Sequence, residues 1–199
     1  CNFYGLYYGI YAVGNNPREY QNLKIRWNTI GSIDRIIRYR GIYLSGANRA
    51  LISNNTIFGI ENTSITQLEG MYIGGNFTNS RIDANNIYNI AYKGTSGYRG
   101  IGIDISQAAT NADDTICNNF ISGINGDGDG SSVTYSPIGL YIASGSGYLV
   151  ANNSINLYGD YSNRLSSYSS GVSISACFYA SSTATGISFK SNLLVNTKN

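Results

Sequence analysis

Two short signatures recur in phase along this chain of 199 residues, and they restrict its fold more than any other feature. The first reads apolar, two residues, Asn, one residue, apolar, two residues, then usually apolar again. It occurs as Ile25-Asn28-Ile30-Ile33, Ile52-Asn55-Ile57-Ile60, Ile82-Asn85-Ile87-Ile90 and Ile116-Asn119-Ile121-Ile124. Two looser copies follow, Val150-Asn153-Ile155-Tyr158 and Phe189-Asn192-Leu194-Thr197. Successive asparagines lie 27, 30, 34, 34 and 39 residues apart (55 minus 28 for the first step, 192 minus 153 for the last). The second signature precedes each copy: Gly, apolar, any residue, usually apolar. It starts at Gly9, Gly41, Gly70, Gly100, Gly139 and Gly171. A repeat of this length marks stacked units, each burying its apolar face only against its neighbours.

Alternation inside each short segment describes strands with one buried face. The asparagine interrupts that alternation, so the chain turns there, and Asn tolerates the left-handed backbone that a tight corner needs. A strand before the corner, one after it and the glycine-initiated strand give three strands per repeat. The expected fold class is all-β: a right-handed parallel β-helix (solenoid) of about six coils, forming a single domain over residues 1–199. Equivalent residues then stack about 4.8 Å apart. The isoleucines form apolar columns, and Asn28, Asn55, Asn85, Asn119, Asn153 and Asn192 form a structural amide ladder. The segments between the last apolar position and the next glycine vary most in length, which places candidate binding loops there.

Composition excludes several function classes. The formal net charge of +2 lacks the basic excess expected of a nucleic-acid binder. One basic cluster, Arg35, Arg38 and Arg40, reads as a solvated edge. The chain has no histidine, the commonest general base and metal ligand. Cys1, Cys117 and Cys177 show no zinc spacing and make no disulfide framework. No apolar run approaches the roughly 18 residues of a membrane span. Neither a cofactor nor a metal is expected. The start at Cys1 without a leader, and the end at Asn199 inside the sixth copy, suggest a piece of a longer chain whose flanking parts are its first partners.

The segments Gly41-Ile-Tyr-Leu-Ser-Gly and Leu51-Ile-Ser-Asn-Asn-Thr-Ile resemble the parallel β-helix repeats of the pectate-lyase-like superfamily. Asn152-Asn-Ser-Ile-Asn-Leu-Tyr-Gly, a Ser-rich stretch and Ile187-Ser-Phe-Lys-Ser-Asn-Leu-Leu-Val-Asn-Thr resemble large repetitive surface proteins of Bacteroidetes. That resemblance implies a secreted or cell-surface location, export by type IX secretion, and contact with secretion or surface-anchoring proteins. Enzymes of the β-helix superfamily keep carboxylates on one outer face, so Asp83, Asp104, Asp113 and Asp114 are the acids to consider, with Arg81 and Arg99 as candidate bases. In coil register these acids do not align, and no catalytic residue is assigned.

Tyr11, Tyr43, Tyr72 and Tyr141 share one register position, just after the inward apolar residue, and alternation turns them outward. Such a column can be a carbohydrate platform, or cross-strand packing that stabilises the sheet. Gly102 and Ser173 are expected to interrupt it. Arg40, Glu69 and Arg99 each precede a repeat glycine and read as an exposed charge ladder worth roughly 0–1 kcal/mol per pair. Asn125-Gly-Asp127-Gly-Asp129-Gly resembles the opening of a calcium loop, but Ser136 stands where that motif needs a Glu. The functional expectation is a non-enzymatic structural or adhesive segment of a large secreted surface protein. A polysaccharide-binding or polysaccharide-degrading protein is the alternative from another class, and a secreted substrate held by its export machinery is the third.

Overall fold

The computed structural model describes residues 1–14, 20–64, 67–94, 98–127, 136–160 and 174–198. Every regular element among them is a strand. The strands form three large parallel sheets, and the chain visits them in rotation. The first sheet holds β2 (Tyr8–Val13), β6 (Arg40–Ser45), β10 (Gln67–Gly74), β13 (Arg99–Ser106), β16 (Ile138–Ile142) and β19 (Ala176–Ala180), stacked in that order. The second stacks β4 (Lys24–Arg26), β8 (Leu51–Ser53), β11 (Arg81–Asp83), β14 (Asp114–Cys117), β17 (Gly145–Ala151) and β20 (Ala184–Lys190). The third stacks β1 (Asn2–Phe3), β5 (Thr29–Ile30), β9 (Thr56–Asn62), β12 (Asn86–Tyr92), β15 (Phe120–Asn125), β18 (Ser154–Gly159) and β21 (Leu193–Lys198). A small pair, β3 (Tyr20–Gln21) with β7 (Ala47–Asn48), flanks them. This is an all-β stack of parallel strands, a parallel β-solenoid.

The isoleucine columns pack its centre. Ile52, Ile82, Ile116 and Val150 stand in register in the second sheet; Ile57, Ile87, Ile121 and Ile155 do so in the third. All are essentially solvent-free. Each contributes roughly 1.5–3 kcal/mol by leaving water. Two positions of the repeat depart from expectation. Ile33 is 84% exposed, and Ile37, bridged to Ile60, is buried instead. Tyr158 is exposed while its neighbour Leu157 is buried.

The asparagine ladder spans the corner between the second and third sheets. Asn85 Nδ2 donates to Asn119 Oδ1 (3.0 Å) and to the Ile52 carbonyl (3.0 Å). Its own Oδ1 accepts from the backbone N–H and Nδ2 of Asn55 (3.1 and 2.9 Å). The same links join Asn28 to Asn55, Asn119 to Asn153 and Asn153 to Asn192. The left-handed bend, however, does not fall on these residues. It falls one position earlier, at Trp27, Asn54, Ala84, Asn118, Asn152 and Ser191, with φ between 52° and 57°. The ladder asparagine must keep its amide inside the stack, so its outward-facing neighbour turns the chain.

The glycine column has a steric origin. A Cβ on Gly70 would stand 2.5 Å from Ile87 Cγ2 and 2.6 Å from the Gly102 carbonyl; Gly41 and Gly102 meet the same obstruction from Ile57 and Ile121. First-sheet backbone and third-sheet isoleucine approach too closely there for any side chain. This register corrects the sequence reading. The fourth glycine of the column is Gly102, two residues beyond Gly100, because Met71 pairs with Ile103 and Tyr72 with Asp104. In the last strand Phe178 pairs with Leu140, so Cys177 takes the column position; Gly171 lies outside the described residues. A second corner, between the first and second sheets, escaped the sequence reading. Asn22, Arg49, Asn79, Asp113, Gly147 and Gly186 share a left-handed backbone there.

Candidate functional site on the tyrosine face

Parallel pairing of the first sheet brings Tyr11, Tyr43, Tyr72, Asp104, Tyr141 and Tyr179 into one column. Asp104, not Gly102, interrupts the tyrosines, and Tyr179 continues them; Ser173 lies outside the described residues. The rings pack on one another. Tyr11–Tyr43 and Tyr43–Tyr72 meet edge to face at 5.0 and 4.9 Å, while Tyr141–Tyr179 stack at 5.3 Å with planes 12° apart. The Arg40 guanidinium lies over the rings of Tyr72, Tyr39 and Tyr43 at 4.0, 4.3 and 4.8 Å. Such contacts are worth roughly 0.5–2 kcal/mol each. Tyr11, at the edge of the sheet, is the most open ring of the column at 57% exposed.

Beside the rings lies a buried polar network. Arg40 Nε donates to Glu69 Oε2 at 2.5 Å. Gln67 Nε2 donates to both Glu69 Oε1 (2.7 Å) and Asp104 Oδ2 (2.8 Å), so one amide bridges two carboxylates. Arg99 donates through Nη2 to Gln67 Oε1 (3.0 Å), which fixes the amide orientation, and Ser106 Oγ donates to Asp104 Oδ1. Glu69 and Asp104 are fully buried. Arg40 is therefore part of a buried ion pair and not of a solvated edge, whereas Arg35 and Arg38 are exposed. The charge ladder expected from Arg40, Glu69 and Arg99 is corrected likewise: Arg99 pairs in register with Gln67, two residues before Glu69. An uncompensated charge in such a place costs several kcal/mol.

Burial pushes the Asp104 carboxyl up to about 7, reinforced by the nearby Glu69 charge and opposed by Ser106 and Arg99. Burial also raises Glu69, against the pull of Arg40. Burial lowers Arg99, against the pull of Asp104. The result is two buried carboxyls joined through the Gln67 amide beside aromatic rings, with Asp104 poised to take up a proton near neutral pH. Their oxygens already accept bonds from Arg40, Gln67 and Ser106.

The remaining sequence candidates separate. Asp83 pairs with Arg81 at 3.3 Å on the second sheet and accepts from Asn118. Asp113 sits at the second corner with φ 52°. Asp114 is buried, accepts the Ser80 backbone N–H at 2.8 Å and the Gln107 amide at 3.2 Å, and burial lifts its carboxyl to about 8. None of these three joins Asp104. The partner of Asp104 is Glu69, which sequence reasoning placed only in a charge ladder. Locating Gly102 as the column glycine would have put Asp104 among the tyrosines and exposed the pairing. For the calcium-like run, Asn125 and Asp127 are described and Asp129 is not. Among the described residues no cluster of three His, Cys, Asp or Glu side chains could hold a metal ion, and no helix is long and apolar enough to cross a membrane. The cysteines are unbridged.

No family model, curated protein or solved structure matches this chain.

Proposed function

We propose that this chain is a right-handed parallel β-helix of about six coils serving as a non-enzymatic structural or adhesive segment of a large secreted surface protein. One observation carries the non-enzymatic part: the acids beside the tyrosine face are buried and bonded into the sheet. Glu69 is spent on Arg40 and Gln67, and Asp104 on Gln67 and Ser106. A general acid must reach the proton acceptor of its substrate within hydrogen-bond distance. Carboxyls without solvent contact instead tie neighbouring strands. The continuous asparagine ladder fits the same role. Export by type IX secretion and a cell-surface location rest on the resemblance of residues 150–199 alone.

A second reading, polysaccharide recognition or turnover on the tyrosine face, is favoured by the convergence of Glu69 and Asp104 beside the rings. A glycan-array and polysaccharide-turnover assay, run with a Tyr43, Tyr72 and Tyr141 triple alanine variant, separates the two. The structural reading expects no turnover of any polysaccharide. Turnover that Asp104→Asn abolishes would replace it with an enzyme.

A further inference from the structure

The third sheet offers a different surface on its outer side. β9, β12 and β15 each contain one left-handed residue in register: Gly59 (φ 63°), Asn89 (φ 54°) and Gly123 (φ 58°). β18 has no such residue at that point; its left-handed residue is Gly159 (φ 79°), and Tyr158 stands out of the sheet. The bare backbone of Gly123 is the floor of what results. A Cβ placed there would lie 3.1 Å from Asn89 Oδ1 and 3.2 Å from the Tyr158 hydroxyl. Those two groups converge over the glycine in a cleft of ≈ 240 Å³, whose walls include Glu61, Asn125 and Asp160.

Three polar side chains of this cleft, Asn89, Tyr158 and Asp160, are left open to a ligand. Among the described residues, no hydrogen bond occupies the Asn89 side chain, the Tyr158 hydroxyl or the Asp160 carboxylate, and no aromatic ring covers Tyr158. The charges around it are balanced. Glu61 is paired with Lys93 at 2.7 Å, and Lys198 Nζ donates to Asn125 Oδ1 (2.8 Å) and to the Asp160 carbonyl (3.4 Å). Both lysines are thus engaged, which disfavours an anionic ligand. A volume below the roughly 300 Å³ of ordinary small-molecule pockets suits one ring. The exposed ring and hydroxyl of Tyr158, beside the amide of Asn89 and the carboxylate of Asp160, match the mixed apolar and hydroxyl surface of a sugar.

We propose that this cleft binds a single neutral pyranose ring of a glycan chain, with Tyr158 as the platform and Asn89 and Asp160 as hydroxyl partners. The site lies on a different sheet from the tyrosine column and does not depend on it.

The test is saturation-transfer NMR on the purified chain with cellotetraose, mannotetraose and xylotetraose, and tetragalacturonate as the acidic comparator. Gly123→Asn keeps the left-handed backbone, as Asn89 does in the neighbouring strand, while filling the floor. Tyr158→Ala removes an exposed ring without opening the core. Tyr11→Ala is the control on the first sheet. At least one neutral tetraose is expected to bind, more tightly than tetragalacturonate, and to weaken at least tenfold in both cleft variants while Tyr11→Ala leaves it unchanged. Binding of no neutral tetraose, binding retained in either folded cleft variant, or loss in Tyr11→Ala alone would each overturn the proposal.

Discussion

The asparagine corner, between the second and third sheets, and the tyrosine face, on the first, run through the same stack of layers, yet they hold together by opposite means. At the corner every layer repeats one amide and one set of bonds, from Asn28 through Asn192. On the face the charged and polar positions change from layer to layer: Arg40 meets Glu69, Gln67 meets Arg99, and Tyr72 meets Asp104. A uniform ladder needs no special partner, so each rung tolerates its neighbours. The heterogeneous face depends on particular partners, so a single change there leaves a buried charge behind. The contrast predicts different mutational signatures.

The largest effect is expected at the ladder. Asn85→Leu removes four bonds, taking the Asn85 acceptor from the backbone N–H and Nδ2 of Asn55 and the amide donor from the Ile52 carbonyl. Denaturant unfolding should show a loss of about 3–5 kcal/mol, and no second substitution at Asn119 should restore it. Glu69→Ala should cost nearly as much, roughly 3 kcal/mol, because it strands buried Arg40. Here a second change does rescue: the Arg40→Met, Glu69→Leu pair should unfold within about 1 kcal/mol of the parent. A double-mutant cycle in which the ladder is rescued and the ion pair is not would reverse the comparison.

A pH series sharpens it further. The folded carboxyls of Asp104 and Asp114 stand at about 7 and about 8, above their ordinary value of 3.8. The folded state therefore keeps protons that the unfolded chain has released. Stability should fall as pH rises from about 4 to about 8, then level off. Asp114→Asn, with an uncharged side chain, should flatten that slope as read by melting temperature across the series. The ladder carries no titrating group and should leave Asn85→Leu with the parental slope.

The smallest effect concerns the residues that bend the corner. Ala84 holds φ 53° and is exposed. Ala84→Gly should stabilise the chain by about 1 kcal/mol, since only Gly adopts that backbone without strain. Destabilisation would mean that the bend lies elsewhere.

The parts legible in the sequence are those that repeat without variation. Ile52-Asn55-Ile57 and its copies announced strands, a corner and a ladder because each layer needs the same residues. The bend one residue before each ladder asparagine was hidden, since Trp27, Ala84 and Ser191 share no chemical feature beyond facing outward. The shared register of Tyr11, Tyr43, Tyr72 and Tyr141 is legible in the repeat, but the fourth layer is ambiguous, since Gly100 and Gly102 both satisfy the pattern. The strand pairing, Met71 with Ile103, decides between them and sets Gly102 against the Gly139 carbonyl and Ile121. That ambiguity concealed the Glu69–Gln67–Asp104 bridge. The second corner and the cleft at Gly123 depend on backbone conformation at single residues, which periodicity does not report.

The most direct test of the stacked architecture is side-chain amide hydrogen exchange by NMR, comparing ladder asparagines with an asparagine that immediately precedes them. Asn55 and Asn153 should retain their Nδ2 protons for far longer than Asn54 and Asn152, because only the first pair lies inside the ladder. Equal exchange of the two sets would contradict the ladder and the parallel stack built on it.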